Sequence, residues 1–306
     1  MEIIVLGAGA IGSLYGAKLA GDNDVTLVGR ADHVAAINSN GLRIEGIESQ
    51  VVRVSAATEV KQIGPQTLII LTTKVPDIDG ALRPIVPLVR GDSTILCLQN
   101  GFESERIART ALGDRGTVLR GITQFGAIFK SPGVIQFMAR GYTLLESHER
   151  SEQIAAVLTA AGLDCRISPD IARDVWHKLL INCVVNPITA ILGSEVGAIA
   201  NPQLDPLKEL VIAECVAVAA SQSIALEGNL QQEIDDFFRP SHNIASMLQD
   251  LRRGRATEID YLNGAVAALG ARSGVDCPVN AALSAIIKAM EAKSLLPKKM
   301  FEAEPA

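Results

Sequence analysis

The run WHKLLINCVVNP, residues 176–187, is apolar almost throughout yet carries Lys178, Asn182 and Asn186. Four residues separate each from the next, so on a helix they form one leaning row that drifts roughly 40° per step. A solvated helix face normally carries Glu, Lys and Gln, whereas asparagine is a weak helix former that prefers caps and turns. The row therefore has two readings. It is the wet side of a helix whose Leu179, Leu180, Ile181, Val184 and Val185 face a core, or it is a set of polar groups kept for chemistry. If kept for chemistry, such groups suit a bound carbonyl compound. An ammonium about 3 Å from a carbonyl oxygen polarises it and supplies a proton, while neutral carboxamides orient a bound carboxylate without adding charge.

A second group of residues lies at the start of the chain. Gly7-Ala8-Gly9-Ala10-Ile11-Gly12 is a G-x-G-x-x-G sequence that follows the strand-like EIIVLG and opens the helical AIGSLYGAKLA. In that setting the glycines permit a tight turn, and the helix N-terminus offers free N–H groups and the positive end of its dipole to a pyrophosphate. A glycine turn with no ligand is the plainer alternative. The second strand ends VTLVGRADH. An NAD site would place Asp or Glu there. Gly29 instead gives room and Arg30 a guanidinium suited to bidentate phosphate contact, which points to NADP. Asp32, two residues on, suits a cap or turn. Two further strands end in polar residues, LIILTTK at Lys74 and TILCLQNG at Asn100-Gly101, and ligands of open α/β sheets bind outside such carboxyl ends. Taken singly, each is also an ordinary surface lysine or Asn-Gly turn.

These residues need two kinds of scaffold. The first half alternates apolar runs of strand length, at 2–7, 25–28, 68–72 and 94–99, with helical patterns, as in a parallel sheet buried on both faces. Residues 41–56 look like an inserted hairpin, and 117–146 like Gly- and Thr-rich strands forming an antiparallel edge to the sheet. After a last strand, LDCRI, the chain turns helical nearly to its end, with segments near 170–192, 202–226, 229–237, 241–250, 257–273 and 279–293. The expected division is an α/β domain at 1–168 and an all-α domain at 169–306, with the closing PKKMFEAEPA a loose tail.

At 306 residues the chain can bury a core in each half. A net charge of −6 gives no general electrostatic drive toward nucleic acid or an anionic membrane, and no apolar stretch is a clean membrane span. MEIIVLG has no basic region ahead of its apolar run, so it reads as a first strand rather than a signal peptide. Five cysteines, odd in number and without C-x-x-C pairing, point to buried thiols in a reducing compartment and hence to the cytoplasm. The four histidines have no metal-ligand spacing, and no metal site is expected. A homodimer through the apolar helical half stays open.

Together, GAGAIGS at 7–13, LTTK at 71–74, QNG at 99–101, WHKLLINCVVNPITA at 176–190 and SMLQDLRRGRATEIDYLNG at 246–264 resemble the ketopantoate reductase (2-dehydropantoate 2-reductase) family over nearly the whole chain. The resemblance implies a Rossmann-type doubly wound sheet followed by the helical domain, with the active site in the interdomain cleft. It implies an oxidoreductase that uses NADPH to reduce ketopantoate to pantoate, on the way to pantothenate and coenzyme A. Lys178 then matches the catalytic lysine, and Glu258 the glutamate that helps hold substrate and cofactor. Asn100, Asn182, Asn186 and Ser246 match substrate contacts. The glycine turn, Arg30, Lys74 and Asn100 match cofactor contacts, and Gly126-Ala127 falls where the family lines the nicotinamide pocket with backbone.

On its residues alone, Glu258 reads as an acid in the first turn of a helix opened by Thr257. Asp250, Arg252, Arg253 and Arg255 read as a solvated or salt-bridged loop, with an anion-binding role open for one arginine, and Asp260 and Asn263 as structural. One departure stands out. Family members often carry a further substrate-binding asparagine shortly after the lysine helix, and LGSEVGAIAN has none at the corresponding spacing. That keeps open a different 2-keto acid on the same scaffold. A catalytically idle dinucleotide-binding regulator is the alternative from another class.

Overall fold

The structure, a computed structural model, describes residues 1–295; the tail expected at 297–306 lies outside the described residues. The chain divides into two units, Met1–Ile171 and a second that begins at Ala172. The first unit runs β1 (Glu2–Leu6), α1 (Ala10–Leu19), β2 (Asp24–Val28), α2 (Ala31–Asn40), β3 (Leu42–Gly46), β4 (Gln50–Val52), β5 (Ser55–Ala57) and β6 (Leu68–Leu71). It continues with α3 (Ile78–Leu82), β7 (Thr94–Cys97), α4 (Ser104–Leu112), β8 (Thr117–Thr123), β9 (Gly126–Ser131), β10 (Val134–Ala139), β11 (Thr143–Leu145), α5 (Ser151–Ala160) and β12 (Cys165–Ile167).

Eight strands form the main sheet in the order β12-β11-β8-β7-β6-β1-β2-β5, and every neighbouring pair is parallel except β8 with β11. The central strands are buried almost throughout, LIIL in β6 and TILC in β7 along their whole length, because both faces are covered. The winding reverses at β1. The chain first moves outward through β2 to β5, then returns to β6 on the other side. With right-handed crossovers, that reversal sends helices to both faces.

The expected antiparallel edge is only partly present. β11 supplies it, but β9 and β10 leave the main sheet and join β3 and β4 in a second one, ordered β4-β3-β10-β9. The reason lies in α1. Its sequence AIGSLYGAKL offers no continuous polar face, and Leu14, Tyr15, Ala17 and Leu19 are all buried, so one sheet cannot cover it. It packs on β1 and β2 of the main sheet and on β3, β9 and β10 of the second. Alternate residues of the second sheet, Leu42, Ile44, Ile135 and Phe137, complete that core.

The helical unit contains α6 (Ile171–Leu192), α7 (Asp205–Ser221), α8 (Leu230–Phe238), α9 (Ser246–Arg252), α10 (Asn263–Ser273) and α11 (Pro278–Leu295). Two helices start later than the sequence pattern suggests, because Pro202–Leu204 and Ile259–Tyr261 are short 3-10 turns. Leu262, at φ −112 and ψ −105, then breaks the backbone ahead of α10. Helix α6 is long and apolar enough to cross a membrane, yet 61% of its apolar window is buried in the folded chain. Lys208 of α7 is wholly buried, with its Nζ 2.6 Å from Asp235 of α8 and 2.9 Å from Asp205. Glu214 of α7 accepts the Val279 and Asn280 N–H groups of α11 at 2.8 Å each, a carboxylate set against a helix N-terminus.

Candidate active site

The strands β7-β6-β1-β2 are adjacent and parallel, so their carboxyl ends form one row. The loops there carry Asn100, Lys74, the glycine turn and Arg30. The reversal of winding falls between β6 and β1, which places the ligand crevice of such a sheet beside Lys74 and Gly7.

Each glycine of the turn has its own reason. Gly7 has φ +111, and a Cβ there would lie 2.5 Å from Thr73 N. A Cβ on Gly12 would strike the Gly7 carbonyl oxygen and sit 2.5 Å from Thr72 Oγ1. Gly9 differs: its φ is −81, and the one atom within reach of a Cβ is Gly7 O at 4.0 Å. The turn is pinned from both sides. Gly7 and Ala8 N–H donate to Val28 O at 3.0 and 2.8 Å, and the Thr72 hydroxyl donates to Gly7 O at 2.8 Å. The first bond within α1 runs from Ser13 N–H to Gly9 O at 2.9 Å, so Ala10, Ile11 and Gly12 present first-turn amides with no carbonyl one turn back. Free amides at the positive end of a helix, with an open side at Gly9, fit a pyrophosphate. Thr73 Oγ1 is buried beside this turn with no hydrogen-bond partner among the described residues.

Arg30 is exposed at the N-terminus of α2. Asp32 is used locally, accepting His33 N–H at 2.8 Å. His33 is buried, and Gly133 N–H donates to its Nδ1 at 2.9 Å. The proton therefore sits on Nε2, which donates to Ser13 Oγ at 3.0 Å. Burial lowers the His33 pKa, with Asp32 opposing. This imidazole pegs α1 to α2 and to the turn between β9 and β10.

Asn100 is half-buried between Gln99 and Gly101, whose φ is +79. The residue that holds this turn is one the sequence analysis passed over. Arg120 lies beside Cys97 in the β7–β8 pair and is 3% exposed. Its Nη2 donates to Gln99 O and Gly101 O at 2.7 Å each, and its Nη1 to Ser104 Oγ. Burial lowers its pKa. An arginine inside the apolar strand VLRGIT was the available signal, since such a charge is seldom buried without partners. Burial also pushes the neighbouring Cys97 thiol up to about 12. Ala127 lies apart from this row, on β9 opposite Phe137, in a strand that packs on α1.

In the helical unit, Lys178, Asn182 and Asn186 are half-buried, while Trp176, Leu179, Leu180, Cys183, Val184, Val185 and Ile188 are buried. His177 is bound to Glu233 of α8 at 3.1 Å. Ser246 is exposed as the first residue of α9. Glu258 is half-buried and precedes a 3-10 turn, five residues before α10, so the helix-dipole account of it fails. Its backbone is fixed by Thr257, whose N–H donates to Glu291 of α11 at 2.7 Å and whose hydroxyl accepts Ile259 N–H at 3.2 Å. Asp260 is taken by Lys288 at 2.8 Å. Asn263 then reaches α6, its Nδ2 donating to Cys183 O at 2.9 Å. The segment carrying Glu258 is thus bonded to the helix carrying Lys178. Arg252, Arg253 and Arg255 are exposed, and Arg252 donates to Gly193 O at 3.0 Å. The loop lacking the extra asparagine docks by backbone, Val196 N–H on Asn243 O at 2.8 Å and Gly197 N–H on Ser241 O at 3.1 Å. Among the described residues no group of three His, Cys, Asp or Glu side chains could hold a metal.

One unit thus offers first-turn amides beside an open glycine, and the other a cation and two carboxamides on an apolar helix. Known proteins resemble this chain across both units. The family described as ketopantoate reductase PanE/ApbA matches residues 3–150, and its C-terminal counterpart matches 170–291. A 2-dehydropantoate 2-reductase of Pyrococcus horikoshii is 38% identical over 299 residues, covering 95% of this chain and 98% of that protein. One from Mesorhizobium japonicum is 32% identical, covering 94% and 97%. A crystal structure of a PanE/ApbA family ketopantoate reductase from Ralstonia eutropha has a TM-score of 0.90 at 29% identity, covering 97% of this chain and 100% of that one. A ternary structure of D-mandelate dehydrogenase with NADH and anilino(oxo)acetate has a TM-score of 0.89 at 27% identity, with the same coverage. With the glycine turn, the lysine helix and both halves of the match in one continuous chain, this protein belongs to the ketopantoate reductase family.

Proposed function

We propose that this protein reduces the 2-keto group of 2-dehydropantoate to give pantoate, using NADPH, as a step toward pantothenate. The observation that carries this is the α6 face, where Lys178, Asn182 and Asn186 are half-buried beside the buried Leu179, Leu180, Cys183, Val184 and Val185, in a chain whose curated relatives are 2-dehydropantoate 2-reductases. When bound, the nicotinamide supplies the hydride that reaches the carbonyl carbon. Lys178 hydrogen-bonds the keto oxygen, polarises it, and hands it a proton as negative charge gathers there. Asn182, Asn186 and Ser246 orient the carboxylate with neutral donors. Asn100 reaches toward substrate and cofactor from the end of β7, and Glu258 helps hold both. The first-turn amides of α1 hold the pyrophosphate, while Arg30 and Lys74 hold further phosphate charge and Ala127 borders the nicotinamide. NADPH is preferred over NADH because Arg30 stands where an NAD site would carry a carboxylate. The five free thiols suit the cytoplasm.

A second reading, reduction of a different 2-keto acid, is favoured by the missing asparagine after α6 and by the likeness to D-mandelate dehydrogenase. The test is the initial rate of NADPH absorbance loss with ketopantoate, pyruvate, 2-ketoisovalerate and phenylglyoxylate. The highest kcat/KM is expected with ketopantoate. A higher value with another acid transfers the assignment to that acid. NADPH binding with no turnover on any of them would leave the regulator.

A further inference from the structure

Helix α6 contains Pro187 well inside its length. Proline has no N–H, so the carbonyl four residues back, that of Cys183, loses its helical partner, and the proline ring presses against that same carbonyl. Cys183 is wholly buried, and a buried carbonyl without a partner is uncommon. Asn263 supplies the missing donor, its Nδ2 lying 2.9 Å from Cys183 O. The other Nδ2 proton goes to Asn280 Oδ1, also at 2.9 Å. Asn280 in turn donates its own Nδ2 to Glu214 Oε2 at 2.7 Å. A carboxylate only accepts, so Glu214 dictates which end of Asn280 faces it. Asn280 then shows its oxygen to Asn263, and Asn263 must show its amino group to Asn280 and Cys183.

We propose that Asn263 is a positioning residue for the substrate-binding helix. It replaces the bond that Pro187 deletes, and Glu214 through Asn280 locks it in the orientation that does so. Cys183 lies between Asn182 and Asn186, and the proline break falls between Lys178 with Asn182 on one side and the remainder of α6 on the other. The tie to Cys183 O therefore sets how the two parts of the polar row align. This role rests on the reading of that row as the substrate face.

A double-mutant cycle tests it, using Asn263→Leu, Pro187→Ala and the pair together. Pro187→Ala restores an N–H opposite Cys183 O. Asn263→Leu should therefore lower the urea midpoint when Pro187 is present, and by less than about half as much in the Pro187→Ala background. The KM for ketopantoate should rise about tenfold or more in Asn263→Leu, with the Kd for NADPH changed less than about twofold, and adding Pro187→Ala should recover most of the KM. Equal midpoint shifts in the two backgrounds, or an unchanged KM in folded Asn263→Leu, would overturn the proposal. If Asn263→Leu does not fold, the double variant should; failure of both is equally fatal. If the unmodified protein leaves ketopantoate unreduced, the functional reading falls separately. The midpoint cycle and faster amide exchange across 178–190 in Asn263→Leu then still decide the positioning role.

Discussion

Two glycines three residues apart should respond to the same substitution in opposite ways. In Gly12→Ala the new methyl meets the Gly7 carbonyl oxygen and lies 2.5 Å from Thr72 Oγ1, both on backbone or tightly tied groups. Relief requires the turn to shift, an overpacking cost of about 1–3 kcal/mol, with about 1 kcal/mol more if the Thr72 to Gly7 hydrogen bond breaks. The better helix propensity of alanine returns at most about 1 kcal/mol. Gly12→Ala should therefore lower the stability of the cofactor-free protein by roughly 1–3 kcal/mol. In Gly9→Ala the backbone angles suit any residue and the nearest atom is 4.0 Å away. The folded state loses nothing, and the stiffer unfolded chain adds about 0.4–1 kcal/mol of stability. Yet that methyl fills the open side that the proposed pyrophosphate site uses, so on that proposal the dinucleotide Kd should rise at least about tenfold, or about 1.4 kcal/mol. Urea unfolding without cofactor and fluorescence titration with NADPH separate the two effects. Undiminished NADPH affinity in Gly9→Ala would refute the placement of the pyrophosphate at this turn.

Four further outcomes follow from the same geometry. Arg30→Ala should weaken NADPH by about tenfold or more and NADH by less than about twofold in paired titrations; equal losses would end the 2′-phosphate assignment. Lys178→Ala should lower kcat by about 10²- to 10⁴-fold with the NADPH Kd nearly unchanged, as steady-state rates and titration together would show. Arg120→Met leaves three acceptors around the Asn100 turn without their donor, and should cost about 2–4 kcal/mol in urea unfolding after relief of the buried charge, with a raised KM. His33 has a lowered pKa in the folded state, so the unfolded chain binds the proton more tightly. Its contribution is whole above the free-imidazole value near 6.5 and is lost as pH falls below it. The urea midpoint should accordingly fall between pH 7 and 5 in the unmodified protein, and fall less in His33→Gln.

Much of the scaffold was legible because its signals are local. Apolar runs of strand length, a glycine turn between strand and helix, and the long periodic α6 each depend on neighbours within a few residues. What stayed hidden depends on residues far apart. The lack of a polar face on AIGSLYGAKL hinted at cover on two sides, but the second sheet exists only through pairing of β3 with β10. EIDYLNGAVAAL looks like one helix, and only the backbone at Leu262 shows that Glu258 precedes it. Pro187 announces a freed carbonyl, whereas nothing nearby in the chain announces Asn263 as its donor. Arg120 was visible as an anomaly in a strand, but its partners at Gln99 and Gly101 belong to the end of the adjacent strand.

The pairing of β3 with β10 also has a consequence for how the chain acquires its structure during synthesis. Arg43 to Gly46 wait for Val134 to Phe137, roughly ninety residues later, and contacts so distant form slowly because a long loop must close first. A nascent chain that has emerged only as far as β7 already displays the complete G-x-G-x-x-G motif. Its α1, however, still has one apolar flank bare, and His33 still lacks the Gly133 amide that completes its peg. The glycine turn is thus translated early but buttressed late, and in the interval the bare flank of α1 is the apolar surface this half of the molecule leaves open.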